Sequence, residues 1–176
     1  MTDKFNLKKI IEMLDSFINY TKTLHEINKS LTNKKIRLPN FPSEISENIV
    51  KLAIQKKYNV CPNWDTISGD LELNGKKIEV KGYSSNGPAS FGPTENWDTI
   101  YFINCKDFLN KNFIVTEVNL SNKDDTFNLI KVNEKQTYKD QCNQGKRPRI
   151  AFDKLQKQLP EESHKVIFDG NLDQLS

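Results

Sequence analysis

Asp70, Glu79 and Lys81 are three charged residues whose spacing around a predicted β-hairpin would bring them together. Between them lies Asn74-Gly75, and a type I′ turn needs positive φ at both central positions, which these residue types tolerate best. Counting outward from a two-residue turn places Asp70 opposite Glu79, and because side chains alternate along a strand, Lys81 shares their face. The opposite face of the hairpin is apolar and consists of Leu71, Leu73, Ile78 and Val80.

Two carboxylates that face each other across a hairpin repel unless a positive charge lies between them. A divalent cation supplies that charge, and Mg²⁺ takes oxygen ligands, usually one or two carboxylates completed by water and phosphate oxygens. A lysine two residues beyond the second acid could position an attacking water or neutralise charge that develops on phosphorus. The pattern therefore predicts metal-dependent chemistry on a phosphate ester. The alternative is a solvated strand face of mixed charge.

Composition places this chain among ordinary globular proteins. Its 176 residues are 36% hydrophobic and 28% charged, enough for one domain with a sizeable core. The net charge of +3 is small, so a nucleic-acid surface would have to come from local clustering of cations. Three widely spaced cysteines, Cys61, Cys105 and Cys142, indicate a reducing, cytoplasmic compartment. The sequence shows neither a membrane-length apolar run nor a signal-peptide core.

The elements that must position the hairpin are helices before it and strands around it. Apolar residues at helical spacing predict an N-terminal helical region over residues 5–30, and Ser43 is a suitable N-cap for a second helix that runs to about Lys57. Predicted strands cover residues 58–60, 66–73, 76–83, 99–105, 113–120 and 127–132, with an edge strand at 165–168. These elements predict an α/β fold with a four- to five-stranded mixed sheet flanked by helices. We expect a single domain spanning residues 1–176.

A family resemblance starts from the same charged residues. Asp70 followed by Glu79-Val80-Lys81 resembles the D…(D/E)xK signature of the PD-(D/E)xK nuclease superfamily, with Gly69 where a proline is usual. The surrounding stretch resembles a Type II restriction endonuclease. The segment 90–102 resembles the group of these enzymes that cuts the interrupted palindrome GCNGC.

The resemblance implies a restriction-endonuclease-like core and assigns roles to the hairpin residues. Asp70 and Glu79 would bind Mg²⁺ together with the main-chain carbonyl of Val80, and Lys81 would position the attacking water. Many related families place a glutamate from the preceding helix beside the metal, and Glu47 or Glu44 could supply it. Glu47 is preferred because it borders the apolar helix face, although acids in a first helical turn also simply complement the helix dipole.

The loop after the hairpin contains two Gly-Pro pairs among small polar residues, which indicates a fixed loop with exposed backbone amides. It leaves directly from the strand that carries Glu79 and Lys81, so it starts beside the predicted site. Loops on rigid scaffolds often carry binding groups. Candidate DNA contacts here are Ser84, Ser85, Asn86, Ser90 and Thr94. The alternative is a structural turn packed by Phe91 and Trp97.

A basic cluster near the C-terminal end is the second candidate DNA surface. Lys146, Arg147 and Arg149 precede a predicted helix with Pro148 in its first turn and an end at Pro160. Cations at a helix N-terminus are disfavoured by about 0.3 to 1 kcal/mol each unless an anion binds there. Arg147 or Arg149 could read guanine through O6 and N7. Gln141, Asn143 and Gln144 are candidate adenine or backbone contacts, and a solvated basic loop is the alternative.

Together these features predict a Type II restriction endonuclease that hydrolyses double-stranded DNA with Mg²⁺ and leaves 5′-phosphate ends. A homodimer is expected, because palindromic sites match two-fold protein symmetry. Two other interpretations stay open. A repair or junction nuclease would use the same site but recognise DNA shape, and a non-catalytic DNA-binding module would carry the acids only as surface charge.

Overall fold

The computed structural model describes residues 7–65 and 70–176. Within these ranges two long helices, α1 (Leu7–Ser30) and α2 (Ser43–Tyr58), precede short helices α3 (Asp125–Asn128), α4 (Tyr138–Asn143) and α5 (Phe152–Gln156). Helix α1 is continuous and confirms the predicted N-terminal helical region from residue 7 onward. Across the same ranges, no helix combines the length and apolar character that a membrane span requires.

A mixed six-stranded sheet with strand order β1-β2-β3-β5-β6-β8 forms the centre of the fold. Strands β3 and β5 pair in parallel, and the other neighbours are antiparallel. Strands β4 and β7 form a separate two-stranded ribbon. The strands are β1 (Asn63–Trp64), β2 (Leu71–Leu73), β3 (Lys76–Tyr83), β4 (Ala89–Ser90), β5 (Thr99–Asn104), β6 (Asn112–Val118), β7 (Arg149–Ile150) and β8 (His164–Asn171).

The expected α/β architecture is confirmed, whereas the expected count of four to five strands is too low. Strand β1 has two residues, too few to show an alternating pattern in the sequence. The predicted edge strand at 165–168 is present as the longer β8, which pairs with β6.

The hairpin between β2 and β3 has the predicted turn and register. Asn74 and Gly75 have φ of 53° and 76°, and Leu71 lies opposite Ile78. The Asp70 N–H donates to the Ile78 carbonyl at 3.2 Å, which continues the pairing to the residue before β2. The first part of the predicted strand, Thr66–Gly69, lies outside the described residues.

Two hydrophobic clusters lie on opposite faces of the sheet. Helices α1 and α2 cover one face, where Val80, Tyr101 and Ile103 are buried. On the other face Ile100 and Phe102 pack with an aromatic cluster from the connecting segments: Phe91, Trp97, Phe127, Tyr138 and Phe152. Strand β5 is therefore buried on both sides, as its continuous apolar sequence predicts.

Two predicted strands are wrong. Residues 58–60 do not form one, because α2 continues to Tyr58 and ends at left-handed Asn59, whose N–H donates to the Gln55 carbonyl at 2.9 Å. Residues 127–132 begin instead within α3. Their buried side chains, Phe127 and Ile130, are spaced by three residues, which suits a helical turn rather than a strand.

The helix boundaries also differ from those predicted at two places. Pro42, not Ser43, is the N-cap of α2. The predicted helix beginning at Pro148 starts instead at Phe152, because residues 149–150 form β7 and the Pro148 carbonyl accepts the Phe91 N–H at 3.0 Å. Lys146, Arg147 and Arg149 therefore do not lie at a helix N-terminus, and the predicted anion site at a helix N-terminus is wrong for this segment.

Candidate active site

The four acidic and basic residues predicted to do chemistry line one cleft of about 340 Å³. The cleft lies beyond the first residue of β2, Leu71, which pairs with Ile78. Among the described residues, β3 has no paired β2 residue on that side from Glu79 onward. Glu79 and Lys81 lie in β3, Asp70 is the residue before β2, and Glu47 lies in α2. Glu44, the other helix candidate, is exposed and is not among the cleft residues.

Asp70 is held in the cleft by the backbone of β3. Its Oδ2 accepts the Val80 N–H at 2.7 Å, so the carboxylate replaces the strand partner that β2 no longer provides. In a β-strand, the N–H and C=O of one residue point to the same side. The Val80 carbonyl therefore faces the same open edge as the Asp70 carboxylate.

Lys81 lies between two carboxylates, one predicted and one not. Its Nζ donates to Glu79 Oε1 at 2.5 Å and to Glu95 Oε2 at 3.2 Å. It also lies 5.6 Å from the centre of the Phe91 ring. Glu95 is not among the predicted site residues because it lies in a loop without periodicity. Its only local signal is the turn sequence Gly92-Pro93-Thr94-Glu95.

Glu47 reaches the cleft because α2 packs closely on the end of β3. A Cβ atom placed on Gly82 would lie 3.1 Å from both Cβ and Oγ of Ser46, the neighbour of Glu47. Glycine at position 82 therefore allows the helix and strand to approach. Glu47 follows Ser46 in α2 and lines the same cleft as Gly82.

The electrostatics of the cleft are dominated by buried negative charge. Burial raises the pKa of Glu79 to about 7; Lys81 opposes the rise and Asp70 adds to it. Burial and the nearby Asp70 likewise raise the pKa of Glu47 to about 7. The pKa of Asp70 is also raised by burial, against the Val80 hydrogen bond. Burial alone would lower the pKa of Lys81, but Glu79 and Glu95 raise it, so its ammonium stays charged.

The donor set suits a hard divalent cation. Asp70 and Glu79 could offer carboxylate oxygens and Val80 its carbonyl, while excess negative charge would be relieved by a cation. Among residues 7–65 and 70–176, no three Asp, Glu, His or Cys side chains converge into a metal centre by themselves. A site with two carboxylates, completed by water and substrate oxygens, is the arrangement usual for Mg²⁺.

A second cleft, of about 470 Å³, adjoins the first, and the two share Phe41 and Gly82 in their linings. Three predicted DNA contacts line it, namely Ser84, Ser85 and Ser90. Of the other two, Asn86 accepts a hydrogen bond from Lys106 Nζ, and Thr94 is exposed in the turn before Glu95. Arg37 also lines this cleft and was not predicted, although Lys34-Lys35-Ile36-Arg37 is a basic run.

The β4–β7 ribbon joins the two predicted DNA-binding segments. Ser90 lies opposite Arg149, and Ala89 lies opposite Ile150. The remaining basic residues, Lys146 and Arg147, are exposed in the connection between α4 and β7. The Gly-Pro loop and the basic cluster are far apart in the sequence, but the pairing of β4 with β7 brings them together.

The three amide residues before the ribbon lie at the end of α4. Gln141 and Gln144 both bond the Gln136 side chain, at 3.2 and 3.1 Å. Asn143 is the last residue of the helix and is exposed, as is Gln144. The helix begins with a capping box between Thr137 and Asp140.

Comparisons with known proteins identify the family of this chain. The family model described as Bsp6I restriction endonuclease matches residues 7–158. The curated Type II restriction enzyme Bsp6I of Bacillus sp. (strain RFL6) is 31% identical over 132 residues, which are 74% of this chain and 72% of that enzyme. No solved structure matches the chain.

The matched region, residues 7–158, contains the cleft residues, the Gly-Pro loop and both strands of the ribbon. Among the three interpretations drawn from the sequence, the match selects restriction over a repair nuclease or a non-catalytic module. The chain belongs to the Bsp6I restriction endonuclease family and is a Type II restriction endonuclease, a site-specific deoxyribonuclease.

Proposed function

We propose that this enzyme is a PD-(D/E)xK nuclease that hydrolyses double-stranded DNA with Mg²⁺ in the cleft of Asp70, Glu79 and Lys81. The observation that carries the proposal is the Asp70 carboxylate held by the Val80 N–H at 2.7 Å, beside the Glu79–Lys81 pair. Two carboxylates and a lysine at one open strand edge form the expected catalytic set. We extend the proposal to a restriction-endonuclease-like core and to a single nuclease domain over residues 1–176.

Asp70, Glu79 and the Val80 carbonyl would hold Mg²⁺, and Glu47 would add negative charge that favours its binding. When bound, Mg²⁺ polarises the phosphate and makes water more acidic. The charged Lys81 Nζ orients the attacking water and donates to a phosphate oxygen. The water oxygen bonds to phosphorus and loses one proton to solvent. The bond from phosphorus to the 3′ oxygen breaks, and the 3′ oxygen takes up a proton from solvent. The products carry a 5′-phosphate and a 3′-hydroxyl.

DNA would lie along the second cleft and the ribbon. Support comes from the shared lining of the two clefts and from the pairing of Ser90 with Arg149. Lys146, Arg147, Asn143 and Gln144 would contact backbone or bases from the exposed end of α4 onward. An arginine can bond guanine O6 and N7 together. Arg149 is the preferred base contact because it lies opposite Ser90, which lines the second cleft.

We further propose GCNGC as the recognition sequence, supported by the resemblance of residues 90–102 to enzymes of that specificity. This sequence is an interrupted palindrome with one GC step in each half. A homodimer would place one ribbon on each half and one catalytic cleft on each strand.

The test is to incubate purified protein with unmethylated plasmid DNA and Mg²⁺ and to sequence the ends. We expect discrete cuts at GCNGC, and fragments that ligate without prior 5′ phosphorylation. Discrete cuts at another sequence would refute only the proposed specificity. Absence of cutting with Mg²⁺, or cutting only of branched DNA, would refute the proposed catalytic function.

A further inference from the structure

We propose that Glu95 is a positioning residue that fixes the Lys81 ammonium for catalysis. The inference rests on the function proposed for the Asp70, Glu79 and Lys81 cleft. The Lys81 side chain has two acidic partners, and Glu95 is the one that comes from outside the β2–β3 hairpin. Once Glu79 binds a cation, its carboxylate is shared, and Glu95 is left as the anchor for the ammonium.

The main chain around Glu95 is fixed from both sides by one amide. Asn122 Nδ2 donates to the Glu95 carbonyl at 2.5 Å, and Asn122 Oδ1 accepts the Trp97 N–H at 3.3 Å. Trp97 is fully buried in the aromatic cluster. The Glu95 N–H also donates to the Gly92 carbonyl at 3.3 Å, which closes the turn. Its backbone is therefore well placed to hold the carboxylate in one position.

Gly92 makes room for the Glu95 side chain to fold toward Lys81. A Cβ atom at Gly92 would lie 2.8 Å from Glu95 Oε1 and 2.9 Å from Glu95 Cγ. These atoms belong to a flexible side chain, so Gly92→Ala would move the carboxylate rather than disrupt the fold. The geometry thus provides a way to displace Glu95 without removing it.

The test measures single-turnover cleavage and duplex binding for Glu95→Ala, Glu95→Gln, Gly92→Ala and the double variant Gly92→Ala/Glu95→Ala. Misplacing a catalytic group by about 1 Å can cost about a hundredfold, so we expect Glu95→Ala to lower the cleavage rate by about 10- to 100-fold. Duplex affinity should stay within about twofold, because Glu95 acts on Lys81 rather than on DNA. Glu95→Gln keeps an accepting oxygen and should restore part of the rate.

Gly92→Ala should resemble Glu95→Ala, and the double variant should be no slower than Glu95→Ala alone. Glu161→Ala, at an exposed glutamate in a short 3₁₀ helix, is the matched control and should cleave at the parent rate. A cleavage rate for Glu95→Ala within about twofold of the parent would overturn the proposal, as would full additivity in the double variant. If the parent itself does not cleave with Mg²⁺, the proposed function fails instead.

A separate observation, the lining of the second cleft, leads us to infer that Arg37 binds a DNA phosphate beside the catalytic cleft. Arg37 lines that cleft together with Ser84 and Ser85. The inference rests on the proposal that DNA lies in this cleft. It adds a DNA contact from the connection between α1 and α2. That connection is 31–42 and contains Lys34, Lys35 and Arg37.

The backbone next to Arg37 is already fixed by Asn28. The Asn28 side chain donates to the Ile36 carbonyl at 2.9 Å and accepts the Ile36 N–H at 2.7 Å. Lys35 Nζ donates to the Leu31 carbonyl at 2.6 Å. Binding would therefore have to order little more than the Arg37 side chain, which reduces its entropic cost.

Duplex affinity measured in EDTA at several salt concentrations tests this contact. We expect Arg37→Ala to weaken binding and to reduce the salt slope by about one unit, as loss of one phosphate contact predicts. Arg37→Lys should restore most of the slope, and Lys34→Ala should change it less. An Arg37→Ala slope equal to that of the parent, or equal losses in both alanine variants, would refute the contact. Failure of the parent to bind duplex DNA would instead refute the proposed function.

Discussion

The Asp70 carboxylate accepts the Val80 N–H at 2.7 Å, in the position that a strand partner would otherwise occupy. One oxygen of Asp70 thus has a structural role, and the other is available to the cleft. The two roles can be separated by substitution, because asparagine keeps an accepting oxygen but loses the negative charge.

We expect Asp70→Asn to fold with a melting temperature at least equal to that of the parent and to lose cleavage by at least about a hundredfold. Asp70→Ala should lose cleavage and also melt earlier, because the Val80 N–H then lacks its acceptor. Thermal melts in EDTA and single-turnover cleavage in Mg²⁺ measure the two effects. Equal melting temperatures for the Asn and Ala variants would contradict the structural role.

The raised pKa of Glu79 predicts how stability depends on pH. In the folded protein this carboxyl keeps its proton up to about pH 7, whereas its ordinary pKa is 4.5. Between these values the folded state binds more protons than the unfolded state, so the free energy of unfolding falls as pH rises through that window. Glu79→Gln removes the titrating group, so its stability should fall less between pH 5 and pH 8 in EDTA.

Denaturant melts of the two proteins at both pH values measure this difference. Glu47 has a similar pKa of about 7 and should leave part of the pH dependence in the Glu79→Gln variant. Adding Mg²⁺ at pH 8 should stabilise the parent more than the variant, since the cation binds the folded carboxylates. Identical pH profiles for parent and Glu79→Gln would contradict the burial argument.

Gly82 is predicted to control the position of Glu47. Because a Cβ atom at position 82 would approach Ser46 to 3.1 Å, Gly82→Ala should push α2 away from β3. We expect a loss of about 1–3 kcal/mol in the free energy of unfolding, as for other overpacked contacts, together with slower cleavage. The double variant Gly82→Ala/Ser46→Gly should recover cleavage. A double variant as slow as Gly82→Ala would show that the clash with Ser46 is not the cause.

The pairing of Ser90 with Arg149 predicts a base contact from the ribbon. If Arg149 bonds a guanine, Arg149→Ala should weaken binding to the cognate duplex by about 1–3 kcal/mol and reduce discrimination at that guanine. Arg147→Ala serves for comparison, because loss of a phosphate contact weakens all duplexes equally. Competition binding with single-base variants of the site measures both. Uniform weakening by Arg149→Ala would identify a backbone contact instead.

The hairpin could be predicted because its structure is set by neighbouring residues. Asn74-Gly75 requires one turn type, and that turn fixes the register from Leu71 to Ile78. Strand β5 and helix α1 are likewise predictable from local sequence, β5 from the continuous apolar run Ile100–Ile103 and α1 from apolar residues at helical spacing. Helical phase alone puts Glu47 at the border of the apolar face, because the sequence predicts a helix from Ser43 onward.

The ribbon and Glu95 could not be predicted because long-range contacts determine them. Strands β4 and β7 have two residues each and pair across about sixty residues of sequence, so neither shows a pattern of its own. That pairing also starts a strand where Pro148 suggested a helix. Glu95 reaches Lys81 only because Asn122, another distant residue, fixes its backbone.

The most direct test of the catalytic cleft is the single-turnover rate of plasmid cleavage by the parent, Glu79→Ala and Glu161→Ala, each with Mg²⁺ and with EDTA. Parent and Glu161→Ala should cut at equal rates in Mg²⁺ and not at all in EDTA. Glu79→Ala should still bind the same site but cut at least about a hundredfold more slowly. Cleavage by Glu79→Ala at the parent rate, or undiminished cutting by the parent in EDTA, would contradict a Mg²⁺-dependent site built on Glu79.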